Sequence, residues 1–457
     1  MDTPDWNSIP DLPGGSELRT DVATRQEAAA DLGNVVHALP GAVLNAKTTE
    51  DIAEVLKWCN EQEVPVPVRA AGTKHNMYGQ SIPPAGGLRI DMTPMNTVFA
   101  LQPGTIDVAA GATLRDVVHA AWRTGQRLVS GPTGVTRVSV GGVLSAGGWS
   151  MVWREGSVAD RCTGLELVTP TGIYWCSRQR HPDLFRAALG GCGRVGIITR
   201  AHLQLCQAPS STRTWMLNVD TVGEAINAMR VLADRGVATE LSTRWHPPDT
   251  NIYRVIAASY YDRKPPTDRV LAALGSPSAR FELNYLEHIT QADAIYDDAI
   301  AERAWHTIPR SWSDLILPGR SINTYIDQTF PEIGPQDLSG DSWGLILPHR
   351  VAAFGTTALR LPEPGPGDDG FHYLVDVLSD QPAGADATWL ARQADRNRRW
   401  WTRARRLGGT LYPIGSTPLS QTEWRAHGPR YFDDVTTRTD PRGILSAWAH
   451  PPASVPV

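Results

Sequence analysis

The sequence predicts an α+β protein of two unlike parts. Three observations carry this. Residues 42–206 read as short strands alternating with helices, three glycine-rich segments interrupt that region, and residues 208–424 mix strand-like runs with polar helices. No repeat occurs at a fixed period. At 457 residues the chain is long enough for two or three domains of about 150 residues each.

Taken in order, Val43-Leu44 is a short strand signal. Thr48 is placed to cap a helix with Asp51 at its third position, running to about Gln62, and Ile52, Val55, Leu56 and Cys59 share one face. Val64 to Arg69 alternates as a strand whose prolines suit a start or an edge. A loop from Gly72 to Pro84 precedes strands at Leu88–Met92 and Thr105–Ala110. Thr113 caps a second helix with Asp116 in its first turn and Leu114, Val117, Val118 and Ala121 on one face, and Gly125 stops it. Gly131 to Gly148 is glycine-rich. Strands at Gly164–Thr169, Gly172–Cys176 and Val195–Leu205 follow, with a helix near Pro182–Leu189. Later strand signals are Ile252–Ser259, Leu345–Pro348 and Tyr373–Leu378, and Ala387–Arg406 is an arginine-dense helix. Leu361 to Gly370 is a turn-rich surface loop.

Composition excludes several classes of function. A net charge of −5 does not supply the basic footprint of a non-specific nucleic-acid binder. The run Arg396–Arg406 therefore reads as a solvated helix face. No stretch approaches the roughly 20 apolar residues of a membrane span. The N-terminus has no basic or apolar leader pattern, so a cytoplasmic location is expected. Five scattered cysteines without a C-x-x-C pair predict free thiols and no metal site. Only four of the 43 basic residues are lysines, one of them Lys74. Nothing in the sequence signals an oligomeric state.

The chemistry is expected in the glycine-rich segments. Arg69-Ala-Ala-Gly72-Thr73-Lys74-His75-Asn76-Met77-Tyr78-Gly79-Gln80-Ser81 directly follows a strand. Backbone N–H groups in such a turn can converge on an anion, and glycine permits close approach to a ligand. In Ser139-Val-Gly141-Gly142-Val-Leu-Ser145-Ala-Gly147-Gly148-Trp149, paired glycines flank Ser145 and leave no side chains to block a flat ligand or a pyrophosphate. A tightly packed crossover is the alternative reading. Gly190 to Thr199 is a glycine-rich turn feeding a buried strand.

The order and spacing of these segments resemble the FAD-linked oxidases of the vanillyl-alcohol oxidase and p-cresol methylhydroxylase type, and are most similar to cytokinin dehydrogenases. The resemblance is strongest over residues 60–207. It continues through Asn397-Arg-Arg399, Thr410-Leu-Tyr412, Glu423-Trp424 and Thr439 to Ser446, with weaker matches at Trp312, Asp314 and Pro318 and at Trp343 to Pro348. It implies a two-domain, PCMH-type FAD-binding fold. Residues 1–207 would form the FAD domain, 208–424 a substrate (cap) domain carrying an antiparallel sheet, and 425–457 a segment returning to the FAD domain.

The resemblance implies a covalent 8α-histidyl link from His75, which stands four residues before Gly79-Gln80. Neutral imidazole is a nucleophile, so the chemistry is sensible. Relatives with a second link carry a cysteine where this chain has Val135, so a single link is expected. Ala70, Gly72, Thr73, Lys74, Asn76, Gln80 and Ser81 are implied around the FAD pyrophosphate. Gly134, Ser139, Gly142, Ser145, Trp149, Ile198 and Ser446 match further cofactor positions.

Departures from the pattern matter as much. Lys74 and Asn76 stand where the family usually has Gly and Ser. The Lys74 charge is expected to keep His75 neutral or to pair with the pyrophosphate. The aspartate that accepts a substrate proton in cytokinin dehydrogenases is matched by Gly134, which has no acceptor. Glu240 corresponds to that aspartate's acidic partner, and with Tyr412 it is the catalytic candidate. Arg244, His246, Tyr260, Asp314 and His349 are further candidates, and Trp245, Trp305, Trp312 and Trp343 line either a pocket or the core.

The expected function is a FAD-dependent oxidoreductase that takes a hydride from a C–H beside N or O of a small organic substrate, in secondary metabolism. Electrons would pass to O₂ or another acceptor. A sugar, alditol or lactone oxidase and a non-redox flavin-scaffolded cyclase are the alternatives.

Overall fold

The computed structural model describes residues 4–131, 133–245, 252–334, 337, 342–355, 357–429 and 431–446. Among them the chain forms an α+β fold around three sheets.

The first sheet holds β1 (Glu17–Arg19), β2 (Ala42–Asn45), β3 (Val68–Ala71) and β4 (Leu88–Asp91) in the order β1-β2-β4-β3. β2, β4 and β3 are parallel, and β1 is an antiparallel edge. A parallel pair needs a long crossover, here the helix Thr49–Glu61, capped by Thr48 and burying Ile52, Val55, Leu56 and Cys59 as their spacing predicts. β3 begins later than the predicted Val64 start. Pro65 and Pro67 have no N–H to give a ladder, so pairing opens only at Val68 and runs straight into Gly72.

The second sheet is antiparallel: β5 (Val98–Gln102), β6 (Thr105–Ala109), β7 (Gln126–Leu128), β8 (Cys162–Thr169), β9 (Gly172–Ser177) and β10 (Ile197–Gln207). Its order is β5-β6-β10-β8-β9, with β7 also on β10. The helix Leu114–Trp122 packs on it through Leu114, Val117, Val118 and Ala121. Thr113 and Asp116 close a reciprocal capping box at its start. The paired-glycine segment is itself helical, Val140–Ala146, and ends at Gly147 with φ +103°.

The third sheet is larger and antiparallel: β11 (Ser211–Val219), β12 (Glu240–Trp245), β13 (Tyr253–Tyr261), β14 (Ala279–Asn284), β15 (Arg310–Pro318), β16 (Trp343–Arg350), β17 (Phe371–Asp380) and β18 (Thr410–Leu411). Its order is β14-β11-β13-β12-β16-β17-β15-β18. The arginine-dense helix is Trp389–Arg406, which buries Trp400, Trp401 and Ala404 and also Arg396 and Asn397. Arg396 and Asn397 are not solvated: they hydrogen-bond Ser311 and Ser379 beneath the sheet. The end of the described chain returns to the first two sheets. Val68 N–H donates to the Ile444 carbonyl at 2.8 Å, Ile444 and Leu445 join the core of the first sheet, and Phe432 and Val435 join that of the second.

No helix among the described residues is long and apolar enough to cross a membrane.

Candidate functional site

Where the third sheet meets the first two lies a cavity of about 460 Å³, with a smaller one of about 90 Å³ beside it. Ala70, Gly72, Asn76, Ser81, Ser139 and Gly142 line both, so the two form one cleft between the glycine-rich segments. Two glycines let the segments pack closely where they meet the cleft. A Cβ on Gly72 would sit 2.1 Å from Ser139 Oγ, and one on Gly142 would sit 2.9 Å from the same atom. Ser81 Oγ is buried without a protein partner and stands ready for a ligand.

Most residues singled out from the sequence converge here. Thr73, Lys74, His75, Gly134, Trp149 and Tyr412 line the larger cavity. Gln80, Ser145 and Ile198 line the smaller one. Ser446 lines neither: its side chain is exposed and its Oγ donates to the Gly443 carbonyl at 2.9 Å. Gly134 meets the cavity with φ +121°, a conformation closed to most side chains.

Two buried groups missed by sequence reasoning shape the cleft. The Arg69 guanidinium donates to the carbonyls of Gln80, Cys192 and Leu445, tying three distant segments around the smaller cavity. Asp31 accepts from Gly79 N–H at 2.7 Å and from Gly33 N–H at 3.1 Å, pinning the loop after His75. Burial pushes the Asp31 carboxyl up to about 7, against the pull of these bonds and of Arg89. No local motif announces either residue, because both act on segments far away in the chain.

His75 is part-buried and opens onto the larger cavity, its ring 6.0 Å from Tyr296 and 6.3 Å from Trp312 between centroids. Burial, with help from the Arg310 cation, lowers its pKa to about 4. It is therefore neutral and nucleophilic at pH 7. Arg310 is itself held by Asp380, by the Leu32 carbonyl and by the Trp305 ring.

The expectation that the Lys74 charge keeps His75 neutral is corrected. Its ammonium donates to the Glu27 carbonyl at 2.9 Å and lies 3.5 Å from the Glu27 carboxylate, and Lys74 is not among the charges acting on His75. Its backbone has φ +59°, the left-handed region that favours glycine and costs other residues about 1 kcal/mol. Lys74→Ala is expected to leave flavin content and flavin affinity unchanged, checked by flavin absorbance per chain and by fluorescence titration.

Glu240 does not line either cavity. It is buried, accepts from His288 Nε2 at 2.8 Å and from the Tyr260 hydroxyl, and so spends its carboxylate inside the protein. Tyr260 is thereby placed in the same network, and the Arg127 guanidinium lies over its ring. Tyr412 is buried, and its hydroxyl accepts from Trp149 N–H at 3.0 Å. Burial raises its pKa, so it stays a phenol. His349 is buried and lowered to about 4 by burial, its Nε2 2.6 Å from the Ser150 carbonyl, and it does not line the cavity. His246 lies outside the described residues.

The third sheet contributes the other wall. Arg244 comes from β12, Trp343 and Leu345 from β16, Leu374 and Asp376 from β17, and Trp312 and Asp314 from β15. Trp245, by contrast, is core, stacked on Phe330 and Tyr253. Asp314 and Asp376 are register partners on neighbouring strands, close enough for each carboxyl to act on the titration of the other. The helix Tyr285–Arg303 closes one side with Ala292, Ile295, Tyr296 and Ala299. It is clamped to the Gly134 loop by Asp293, which accepts from the Thr136 N–H at 2.9 Å and from its hydroxyl, and by the Arg137–Asp297 ion pair.

Comparison with known proteins agrees with this arrangement. A family model described as a FAD binding domain matches residues 40–177. Cytokinin dehydrogenase 2 of Arabidopsis thaliana is 35% identical over 476 aligned positions, covering 94% of this chain and 92% of its own length. An uncharacterised oxidoreductase from the fasciation locus of Rhodococcoides fascians is 29% identical, covering 93% of this chain and 97% of its own length. Cytokinin dehydrogenase 7 of Oryza sativa subsp. japonica is 36% identical over a shorter span, 43% of this chain and 39% of its own.

Proposed function

Because this chain belongs to the cytokinin dehydrogenase branch of the FAD-binding oxidoreductases, we propose that it removes a hydride from a C–H beside N or O of a small organic substrate, with FAD attached covalently through His75. In this reading residues 1–207 and 425–457 hold the cofactor, and 208–424 form the substrate domain. The observation that carries it is the neutral His75 opening onto a cavity continuous with a cleft between the glycine-rich segments.

The residues present fit FAD. Ser81, Ser139 and the backbone at Gly72 and Gly142 offer donors to a pyrophosphate, and the Arg69 cation stands behind them. The larger cavity, lined by both His75 and Tyr412, would hold the flat ring system of the flavin. FAD supplies the hydride acceptor when bound, and O₂ or another acceptor reoxidises it. The protein orients the substrate and excludes water. Trp312, Trp343, Leu345 and Leu374 make an apolar wall that suits a flat, weakly polar substrate better than a sugar or alditol. The relatives named cytokinin dehydrogenases suggest an amine. Gly134, however, brings no acid to the position that serves them.

Acid precipitation tests the covalent link. A yellow pellet is expected, and a colourless one with free FAD in the supernatant rejects it. Anaerobic mixing with a panel of secondary amines, aromatic alcohols and polyols tests the reaction. Bleaching of the flavin by an amine or aromatic alcohol is expected. Turnover of a substrate with the flavin still oxidised points to the cyclase reading instead.

A further inference from the structure

Gly134 leaves a chemical gap: removing a hydride from a carbon beside N–H or O–H requires something to take the heteroatom proton. We propose that the carboxyl pair Asp314–Asp376 is that acceptor, moved from the Gly134 loop onto the floor of the third sheet. This rests on the oxidoreductase reading above.

The geometry points there in three ways. Asp314 on β15 and Asp376 on β17 are directly paired in register, so their side chains leave the same face of the sheet side by side. Both line the larger cavity, and they are the carboxylates that do so among the described residues. Each is more than nine-tenths buried, and Asp314 Oδ2 and Asp376 Oδ1 have no protein hydrogen-bond partner. Trp149 Nε1 and Trp312 Nε1, also deeply buried on the cavity wall, likewise lack protein partners. Two carboxyl oxygens and two indole N–H groups are thus buried without protein partners in residues that line one cavity. Gly415 packs closely against Asp314 Oδ2, since a Cβ there would stand 2.2 Å from that atom.

Electrostatics leaves the pair one proton. Two buried carboxyls side by side cannot both ionise. Burial lifts Asp314 to about 7, and burial with the Asp314 charge lifts Asp376 well above its ordinary value. Near neutral pH Asp376 keeps its proton, and the pair carries at most a single negative charge. The other titratable groups lining the cavity are Lys74, His75, Arg244, Tyr296 and Tyr412. Of these only Tyr412 is coupled to both aspartates, and it stays protonated.

The step balances. The substrate N–H or O–H bond breaks and its proton passes to the Asp314 carboxylate. The electron pair left behind forms the C=N or C=O bond. The carbon's hydrogen leaves with two electrons as hydride to the oxidised flavin. The pair ends with two protons and no charge, and returns one proton to solvent before the next turnover.

The test uses flavin-loaded wild type, Asp314→Asn and Asp376→Asn, with the flavin spectrum and Tm as folding checks. The first readout needs no substrate. Infrared difference spectra across pH 5–9 are expected to show a carboxylic-acid C=O band that titrates near 7 in the wild type and is lost in Asp314→Asn. Absence of that band from the wild type overturns the raised Asp314 carboxyl, and the proposal with it. The second readout is the rate of flavin reduction by N-methylbenzylamine and benzyl alcohol. The wild-type rate is expected to rise through pH 7, and the Asp314→Asn rate to fall by about 100-fold or more and lose that limb. If wild type and Asp314→Asn are reduced equally with the same pH profile, the acceptor lies elsewhere and the oxidoreductase reading survives. If neither probe reduces the wild type at any pH, both readings fail.

Discussion

His75→Ala is expected to release all flavin from the acid-precipitated pellet while leaving a folded protein. The ring opens onto the cavity that receives the cofactor, and it is the one imidazole lining that cavity among the described residues. The matched position for a second link is Val135, which has no reactive atom. Loss of the ring removes contacts with Tyr296 and Trp312 but no structural hydrogen bond of the loop. That loop is held by Asp31, Arg69 and the Gln80 amide, which donates to the Pro413 and Gly415 carbonyls. The variant should therefore bind FAD reversibly and lose it on extended dialysis. Flavin absorbance of pellet and supernatant gives the answer, with Tm as the control. The pH of maturation carries a sign. Burial and then Arg310 lower the His75 pKa to about 4, so the nucleophilic form dominates above that value. Attachment to added FAD should proceed unchanged from pH 8 down to pH 5 and fail only near pH 4. An attachment rate that falls below pH 7 would mean that His75 titrates normally.

Glu240→Ala is expected to destabilise the fold by about 3–5 kcal/mol, since it strands one half of a buried ion pair. His288 and Glu240 are both deeply buried, 2.8 Å apart, and Tyr260 completes the carboxylate's bonding. Burial alone would raise the Glu240 pKa, but the His288 charge and the bonds from His288 and Tyr260 overcome it and hold the carboxyl below its ordinary 4.5. Burial works against the His288 charge too, and Glu240 overcomes it, holding the imidazole above its ordinary 6.5. The two halves give opposite slopes. Glu240's contribution is present above 4.5 and is lost as pH falls through its lowered value. His288's is present below 6.5 and is lost as pH rises through its raised value. The stability difference between wild type and Glu240→Gln, by urea denaturation, should be largest between about pH 4.5 and 6.5 and shrink on both sides. A variant as stable as wild type but unable to reduce its flavin would return Glu240 to the catalytic role that its position in the sequence suggested.

The cofactor side of this protein was legible in the chain and the substrate side was not. Segments 69–81 and 139–149 announce themselves because a cleft for a flat, anionic ligand needs consecutive residues without side chains. Most of the residues read there do meet in one place. The helices Thr49–Glu61 and Leu114–Trp122 were legible because each buries one face and carries its own cap. β15 was hidden. All nine of its residues are buried, serines and Asp314 included, so it shows no alternation of polar and apolar positions. Glu240 was misplaced for a related reason, since a sequence shows that an acid is present but not that His288, 48 residues away, has already claimed it.

The sequence by itself determined the fold class, the cofactor cleft and the histidine that faces it, because these depend on residues adjacent in the chain. Tertiary structure alone decided which groups set the state of those residues. The His75 pKa is lowered by burial and then by Arg310, not by the Lys74 that precedes it. The cavity has carboxylates because a register between β15 and β17 sets Asp314 opposite Asp376, 62 positions apart. Electric fields and shared protons depend on distance in space, and folding is what sets that distance.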